Sequence, residues 1–279
     1  MCLTYFSQRD LPMSKDLPAV FRLLHARQSE LLVLPNAWDV CSAKIIESLG
    51  ALAVATTSAG VAWSQGYTDG GGLLMERQID LGRALVRAVS IPVSMDVEAG
   101  YSDSPAAVAE NLLPLFDAGI SGINIEDGDD PPSLLASKLE AIKTSLASHG
   151  LDAFINVRTD VYLRDLYPDD QKVEMVLTRE QLYRAAGADG LFVPGLVEPD
   201  QVRTIAAQAV LPLNVMAVPG LGSTEELTAL GVRRLSAGSA LALCAWRRTM
   251  ELAGEFLRTG RSDTLTDALS YGDLQTLFG

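Results

Sequence analysis

Eight short apolar or β-branched runs follow one another along the chain at fairly even spacing, and each ends near a glycine, proline, aspartate or asparagine. Amphipathic stretches with apolar residues at i, i+3, i+4 and i+7 separate them, as in 40–49, 77–89 and 105–118. Eight alternations of strand and helix predict one closed (β/α)8 barrel, an α/β fold of the TIM type. The predicted strands are 31–35, 51–57, 91–98, 122–127, 153–159, 190–194, 212–218 and 233–238.

The punctuation of the helices agrees with this fold. Ser104 is placed to cap a helix that has Pro105 at its first position, and Gly119 follows the end of that helix. The turns LGALA, AGISG, AGADG and LGVRR repeat one pattern, in which a helix-ending glycine is followed closely by the next strand. Since no low-complexity linker interrupts the pattern, we expect residues 1–279 to form a single barrel domain.

Two terminal segments exceed what a barrel needs. Residues 1–12 precede Met13, which resembles a natural start, and we expect them to be an extension that packs loosely on the bottom of the barrel. Beyond the eighth strand, a helical stretch at 239–257 is followed by residues 258–279. We expect this last segment to be a C-terminal helix that makes oligomer contacts.

Composition limits the partners of the chain. Hydrophobic residues make up 48% of the 279 residues, enough for a sizeable core, and the net charge of −13 repels nucleic acids and anionic membranes. No apolar run approaches the roughly 18 residues that a membrane span needs, and MCLTYFSQRD does not look like a signal peptide. We therefore expect a soluble, cytoplasmic protein with neither a nucleic acid nor a membrane as its partner.

Cysteine and histidine contribute little to any predicted site. Cys2, Cys41 and Cys244 form no CxxC motif, and we expect ordinary thiols, two of them buried in helices. The only histidines, His25 and His149, lie in helical stretches away from acidic clusters, which favours structural roles over catalytic ones. The chemistry must then be built on carboxylates, arginine, backbone amides or a metal ion.

Acidic residues gather where the predicted strands end, which is the working face of such a barrel. Strand alternation lets Asp96 and Glu98 of the third strand face the mouth together with Glu126 of the fourth. Three converging carboxylates would repel one another, and an all-oxygen donor set suits Mg²⁺ or Mn²⁺. The alternative is that Arg158, at the end of the fifth strand, caps some of these acids in a structural salt-bridge network. The other polar residues at these strand ends are Asp127, Thr159 and Asp160.

Small and hydroxyl-bearing residues end the second predicted strand. Thr57, Ser58, Ala59 and Gly60 can direct successive N–H groups and hydroxyls toward a carboxylate or phosphate, although an ordinary turn has the same composition. The glycine-rich turns after the seventh and eighth strands resemble a phosphate cradle. We also take Asn214, on the seventh strand, as a candidate for substrate binding.

Seven ordered motifs between Leu34 and Gly238 resemble the isocitrate lyase/phosphoenolpyruvate mutase superfamily, in particular its short bacterial members. The resemblance implies an α/β barrel whose final helix is exchanged between subunits, giving homodimers or homotetramers. It also implies Mg²⁺ held directly by Asp96, with Glu98 and Glu126 as further ligands; many relatives have aspartate where this chain has Glu98. The motifs are LPNAWDVCSAKIIESLG, ATTSAGVAWSQGYTDG, VSMDVEAGYSDSP, GINIEDG, INVRTD, ADGLFVPG and PLNVMAVPG.

The same resemblance assigns roles at the substrate. It places a substrate carboxylate on Thr57, Ser58 and Ala59, and it makes Asp69 and Arg158 the catalytic candidates. The chain departs from the isocitrate and methylisocitrate lyases, which have a KKCGH-type loop where this sequence reads EDGDDPPSLLASK. It also departs from the phosphonate-forming mutases, which have a histidine where Pro194 stands here.

These departures leave the half reaction that the family shares. We expect a Mg²⁺-dependent lyase that cleaves or forms a C–C bond next to a small 2-oxo or dicarboxylic acid through a metal-stabilised enolate. The missing cysteine predicts little isocitrate lyase activity, because the loop 128–138 offers only carboxylates, serines and Lys138, which we expect to begin the next helix and point to solvent. Two alternatives stay open: a P–C bond enzyme of the phosphonomutase or phosphonopyruvate hydrolase type, and a non-catalytic protein that binds a metal and an oxo acid.

Overall fold

The computed structural model of the chain describes residues 16–27, 29–266 and 268–279. The extension expected at residues 1–12 and the thiol of Cys2 lie outside these residues. Within them, no helix is both long enough and apolar enough to cross a membrane.

Parallel strands form the centre of the fold. In the described residues they are β1 (Leu32–Leu34), β2 (Asn36–Ala37), β3 (Val54–Thr56), β4 (Val93–Asp96), β5 (Gly122–Glu126), β6 (Phe154–Arg158), β7 (Gly190–Phe192), β8 (Leu213–Met216) and β9 (Arg234–Ser236). β1 pairs with β9 and β2 pairs with β3, so the ring closes where the chain passes from β1 to β2 through Pro35. Proline has no N–H to donate to a ladder, so β1 ends before Pro35 and strand pairing resumes at Asn36, beyond the predicted strand 31–35. The predicted (β/α)8 barrel is confirmed.

Helices surround the barrel. In the described residues they are α1 (Leu17–Ala26), α2 (Val40–Ser48), α3 (Ser58–Ser64), α4 (Met75–Ala88), α5 (Pro105–Asp117), α6 (Pro132–Ser148), α7 (Asp169–Ala185), α8 (Pro199–Gln208), α9 (Thr224–Ala229), α10 (Ala240–Thr259) and α11 (Tyr271–Phe278). The three amphipathic stretches quoted from the sequence correspond to α2, α4 and α5. Ser104 caps α5 as predicted, because its hydroxyl accepts a hydrogen bond of 3.4 Å from the N–H of Ala107.

Helix α1 closes the barrel at the N-terminal ends of the strands. Its residues Phe21 and Leu24 are buried against Leu34 and Phe154 of the barrel wall. His25 stacks on Phe154 with the ring centroids 3.9 Å apart, and its Nδ1 lies 2.8 Å from the carbonyl oxygen of Phe21. His25 is thus a core residue, as expected, whereas His149 is an exposed residue at the end of α6.

The C-terminal helix α10 contributes little to the core. Ala242 is its one buried residue, while Leu243, Met250 and Leu257 are 49%, 68% and 86% exposed. These three side chains are seven residues apart and therefore lie along one face of the helix. Gly260, with φ of +66°, ends α10, and α11 then packs against α2 of the same chain.

The expectation that two cysteines are buried in helices is right about the helices but wrong about the burial. Cys41 lies on α2 and is half-buried, and Cys244 lies on α10 and is exposed. The reason for Cys244 is that α10 directs little more than Ala242 toward the barrel.

Candidate active site

Asp96 ends β4 inside the barrel mouth, the opening at the C-terminal ends of the strands. Its side chain is buried, and the residue is only 7% exposed. The carboxylate accepts hydrogen bonds from the N–H of Glu98 at 3.2 Å and from Nδ2 of Asn124 at 3.4 Å. Its backbone N–H donates to the hydroxyl of Thr56 at 2.9 Å. Asp96 is therefore fixed from both neighbouring strands.

Arg158 lies between two carboxylates at the end of β6. Its Nη1 is 2.6 Å from Oε2 of Glu126, and its Nε is 2.6 Å from Oδ1 of Asp160. Asp160 also accepts a hydrogen bond of 3.1 Å from Nε of Arg164. The salt-bridge network foreseen as an alternative thus exists around Arg158, and it neutralises Glu126 and Asp160 while Asp96 keeps only hydrogen-bond donors as direct contacts.

Glu98 follows a different course from Asp96. Its backbone has φ of +51°, an uncommon conformation for a residue with a side chain, so the strand alternation ends before it. Its carboxylate accepts a close hydrogen bond from the N–H of Gly71 and one of 3.4 Å from the hydroxyl of Tyr101. Glu98 is therefore bound to the loop after α3 rather than turned toward Asp96.

The carboxylates of Asp96, Glu98 and Glu126 do not converge on one point, contrary to the expectation from the sequence. Among the described residues, no three histidine, cysteine, aspartate or glutamate side chains surround one point. Burial nevertheless raises the pKa values of Asp96, Glu98 and Glu126, and each is raised further by a neighbouring carboxylate, with Arg158 opposing the rise at Asp96 and Glu126. The donor atoms of these three residues are all carboxylate oxygens, the kind that Mg²⁺ and Mn²⁺ prefer, and Mg²⁺ commonly binds one or two carboxylates and keeps several waters. The residue types present therefore fit such an ion with Asp96 as the direct ligand.

The small residues after β3 form the start of a helix. Thr57 is the N-cap of α3, with its hydroxyl 3.5 Å from the N–H of Gly60, and Ser58 and Ala59 are partly exposed in the first turn. A Cβ at Gly60 would lie 2.6 Å from Cγ2 of Thr57 and 2.9 Å from Cβ of Trp38. Glycine is therefore required for the close packing of this turn.

Two further candidates lie in contrasting surroundings. Asp69 is exposed in the loop after α3, and its charge contributes to the raised pKa values of Asp96 and Glu98. Asn214, on β8, is fully buried inside the barrel, where its Oδ1 accepts a hydrogen bond of 3.3 Å from the hydroxyl of Ser236. Its Nδ2 has no partner within the described part of the chain.

The loop after β5 holds its charged residues away from Asp96. Asp129 pairs with Arg164, and Asp130 is exposed. The expectation that Lys138 begins a helix and points to solvent is wrong: α6 begins at Pro132, and Lys138 is buried with its Nζ 2.9 Å from the carbonyl oxygen of Ala99. Its long side chain reaches back under the loop that follows β4.

Asp127 belongs to the outside of the barrel. Its carboxylate is buried, 2.7 Å from Nη1 of Arg179 and 2.6 Å from the hydroxyl of Tyr183, both on α7. It also accepts the N–H of Asp160 at 2.9 Å. Asp127 therefore ties the strand ends to α7.

Sequence reasoning missed the polar residues beneath Asp96. Thr56, Asn124, Asn156 and Arg234 are buried, and two of them contact Asp96 directly. A signal was available, because Asn124 stands two residues before Glu126 and must share its face of the strand.

A (β/α)8 barrel with buried carboxylates and an arginine at the carboxyl ends of its strands has its polar groups where such barrels hold their active sites. Similar proteins of known name are lyases or mutases, and the chain is an enzyme of that kind. Residues 21–257 match the model of the phosphoenolpyruvate phosphomutase family, and the chain belongs to that family. The resemblance to the isocitrate lyase/phosphoenolpyruvate mutase superfamily is thereby confirmed.

Individual similar proteins align with most of the chain. It is 39% identical over 223 residues to an uncharacterized protein of Mycobacterium tuberculosis (strain H37Rv), covering 78% of this chain and 81% of that protein. It is 27% identical over 244 residues to an oxaloacetate decarboxylase of Pseudomonas putida (strain KT2440), covering 85% and 83%. A crystal structure from Burkholderia cenocepacia J2315, with an inferred phosphonomutase activity, is similar at a TM-score of 0.82 and 37% identity, covering 86% of this chain and 99% of that one.

Proposed function

We propose that this enzyme is a Mg²⁺-dependent lyase that cleaves or forms a C–C bond next to a small 2-oxo acid. The observation that carries the proposal is the position of Asp96. It is buried at the barrel mouth beside an arginine that Glu126 and Asp160 already neutralise. The groups in contact with its carboxylate are neutral N–H donors. A buried carboxylate with no cation in contact is costly, and a divalent ion would supply that charge.

The metal would be held chiefly by Asp96. Glu98 and Glu126 have other partners, Gly71 and Arg158, and would act through water, which Mg²⁺ commonly retains. When bound, Mg²⁺ supplies positive charge where negative charge develops on the 2-oxo acid during bond cleavage.

The substrate would lie between the metal residues and the start of α3. The hydroxyl of Thr57 and the N–H groups of Ser58 and Ala59 are available to a substrate carboxylate. Arg158, which also pairs with Glu126 and Asp160, would face the remaining negative charge of the substrate. Asp69 would come from the exposed loop after α3, and Asn214 would contribute from within the barrel.

The absence of a cysteine or histidine from residues 128–138 favours a reaction without a positioned acid. In decarboxylation of a 2-oxo diacid, the C3–C4 bond breaks, its electron pair stays on C3, CO₂ leaves, and a solvent proton completes the 2-oxo acid product. The relative named oxaloacetate decarboxylase supports a substrate of this class. A phosphonomutase reaction is the second candidate, favoured by the 37% identical structure with that inferred activity.

We also propose that the enzyme is a cytoplasmic homodimer or homotetramer that exchanges its terminal helical segment. The exposed apolar face of α10 supports this assembly, because such a face is stabilised by burial against another subunit.

A product screen tests the reaction. Purified enzyme with Mg²⁺ is incubated separately with oxaloacetate, isocitrate, 2-methylisocitrate and phosphonopyruvate, and products are identified by mass spectrometry. We expect pyruvate and CO₂ from oxaloacetate, and glyoxylate release from isocitrate below the usual enzymatic range of roughly 1 to 10³ s⁻¹. Asp96→Ala should abolish turnover, while Asp117→Ala, a change at an exposed carboxylate that ends α5, should not.

Rapid glyoxylate release from isocitrate would show that the loop after β5 contains an acid we have not identified. Conversion of phosphonopyruvate with P–C bond cleavage or rearrangement would favour the second candidate. Binding of these acids without turnover of any would contradict both reactions.

A further inference from the structure

A layer of buried polar side chains lies inside the barrel, between the apolar side chains Phe21 and Leu24 of α1 and the barrel mouth. Asn124 of β5, Asn156 of β6, Asn214 of β8 and Arg234 of β9 form this polar layer, and all four are buried. Arg234 is the largest fully buried side chain in the described chain. A buried guanidinium is costly unless it has a partner of opposite charge, so its contacts require an explanation.

The contacts of Arg234 lead to Asp96 through one side chain. Nη2 of Arg234 donates to Oδ1 of Asn124 at 3.2 Å, and Nδ2 of Asn156 donates to the same oxygen at 2.9 Å. Nδ2 of Asn124 then donates to Oδ2 of Asp96 at 3.4 Å. The path joins β9 to β4 across the inside of the barrel.

Arg234 on one side and Asp96 on the other determine how the Asn124 amide is turned. If the amide were reversed, its NH₂ group would face the NH groups of Arg234, which have no lone pair to offer, and its oxygen would face the carboxylate of Asp96, which has no proton to donate when ionised. The amide must therefore direct its oxygen toward Arg234 and its NH₂ group toward Asp96. Removing Arg234 leaves Asp96 alone to enforce this orientation.

Arg234 also places a positive charge beneath Asp96. Burial lowers its pKa to about 9, so it remains protonated at neutral pH, and the charge of Asp96 opposes the lowering. Its Nε and Nη1 have no partner in the described residues, and its guanidinium carbon lies 5.9 Å from the ring centre of Phe21. The hydrogen bond to Asn124 therefore connects Arg234 to Asp96 at the barrel mouth.

We propose that Arg234 is a positioning residue for the metal site: it orients the Asn124 amide, which in turn holds the Asp96 carboxylate ready to bind the metal. Because this role requires Asp96 to be a metal ligand, it rests on the proposed function. Residues that orient a metal ligand in this way commonly change metal affinity by about 10- to 100-fold when replaced.

Mn²⁺ titration followed by calorimetry tests this role without any substrate. The variants are Arg234→Met, Asn124→Ala and the double variant, with Arg233→Met as the matched control, since Arg233 is the adjacent arginine and bonds to the carbonyl oxygen of Val232. We expect each of the first two changes to weaken Mn²⁺ binding by about 10-fold or more. The double variant should bind Mn²⁺ with the same affinity as the single variant that binds it less tightly, because both changes break the same hydrogen-bonded path. Arg233→Met should bind as the wild type does.

A purely structural contribution of Arg234 would give a different pattern. Wild-type Mn²⁺ affinity in Arg234→Met, or effects that add in the double variant, would overturn the proposal. Circular dichroism and thermal unfolding show whether each variant is folded. If Arg234→Met does not fold, Asn156→Ala replaces it, since it removes the other donor to the same oxygen; weakened binding that does not add to that of Asn124→Ala is expected, and unchanged affinity would overturn the proposal.

The Mn²⁺ titrations distinguish a failure of the positioning role of Arg234 from a failure of the proposed function. Wild-type protein that binds no Mn²⁺, or Asp96→Ala that binds it as well as the wild type, would contradict the metal assignment itself. Binding that depends on Asp96 but not on Arg234 would contradict only the positioning role.

Discussion

Glu126 and Arg158 are register partners on β5 and β6, and their side chains meet at the barrel mouth with Oε2 and Nη1 2.6 Å apart. The same guanidinium holds Asp160 through Nε at 2.6 Å and Nη2 at 2.9 Å. Arg158 therefore compensates two buried or nearly buried carboxylates at once. This arrangement leaves the buried Asp96 carboxylate with no arginine in contact among the described residues; its partners are the N–H of Glu98 and the amide of Asn124.

Replacing Arg158 by methionine should destabilise the fold. The change leaves Glu126 and Asp160 without their cation, and breaking a buried pair in this way costs about 3–5 kcal/mol. Arg247→Met is the matched control, because it breaks an exposed pair with Glu251 that is worth at most about 1 kcal/mol. Urea denaturation measures both. Equal, small losses in the two variants would show that the ion pairs of Arg158 contribute no more than a surface contact.

His25 should make the stability of the protein fall in acid. Burial, aided by the charge of Arg234, lowers its pKa from 6.5 to about 3. The folded state thus disfavours the protonated ring, so this contribution is complete above pH 6.5 and is lost as the pH falls toward 3. The slope is at most about 1.4 kcal/mol per pH unit.

The variant His25→Phe keeps an aromatic ring against Phe154 but cannot titrate. Its free energy of unfolding should therefore decline less steeply than that of the wild type when denaturation is measured at pH 7, 6 and 5. Parallel pH dependence in the two proteins would mean that His25 is not protonated on unfolding, contrary to its burial.

The exposed face of α10 should mediate assembly. Replacing Leu243, Met250 and Leu257 by serine removes the apolar stripe while leaving the described core in place. Light scattering should then report monomers where the wild type forms dimers or tetramers. Val210→Ser is the control, since Val210 is another exposed apolar residue and lies away from α10. A triple variant with the size of the wild type would exclude this face from the interface.

Much of the architecture could be predicted because its signals are local. The alternation of apolar runs and amphipathic stretches predicts the barrel. Asp96, Glu126 and Arg158 end their strands, as the strand ends read from the sequence have them, whereas Glu98, which strand alternation placed beside Asp96, lies elsewhere. The short strand β2 was not predicted, because the apolar run on which the first strand was based ends at Pro35.

The remainder depends on contacts between segments that are distant in the sequence. Glu98 leaves the strand pattern because its backbone turns to positive φ and its carboxylate binds Gly71. Lys138 is buried because its Nζ finds the carbonyl oxygen of Ala99, and Arg234 is buried because Asn124 lies across the barrel. Residue type alone predicts exposure for both cations, and only the assembled barrel provides their partners.

Calorimetric titration of Mn²⁺ into the wild type and into Asp96→Asn tests the central claim most directly. Asparagine keeps the size of the side chain but removes the negative charge that a divalent cation requires. We predict that the wild type binds Mn²⁺ and that Asp96→Asn has lost that binding, while the exposed-site control Asp117→Asn retains it. Equal Mn²⁺ affinity in the wild type and Asp96→Asn would contradict the assignment of Asp96 as the metal ligand.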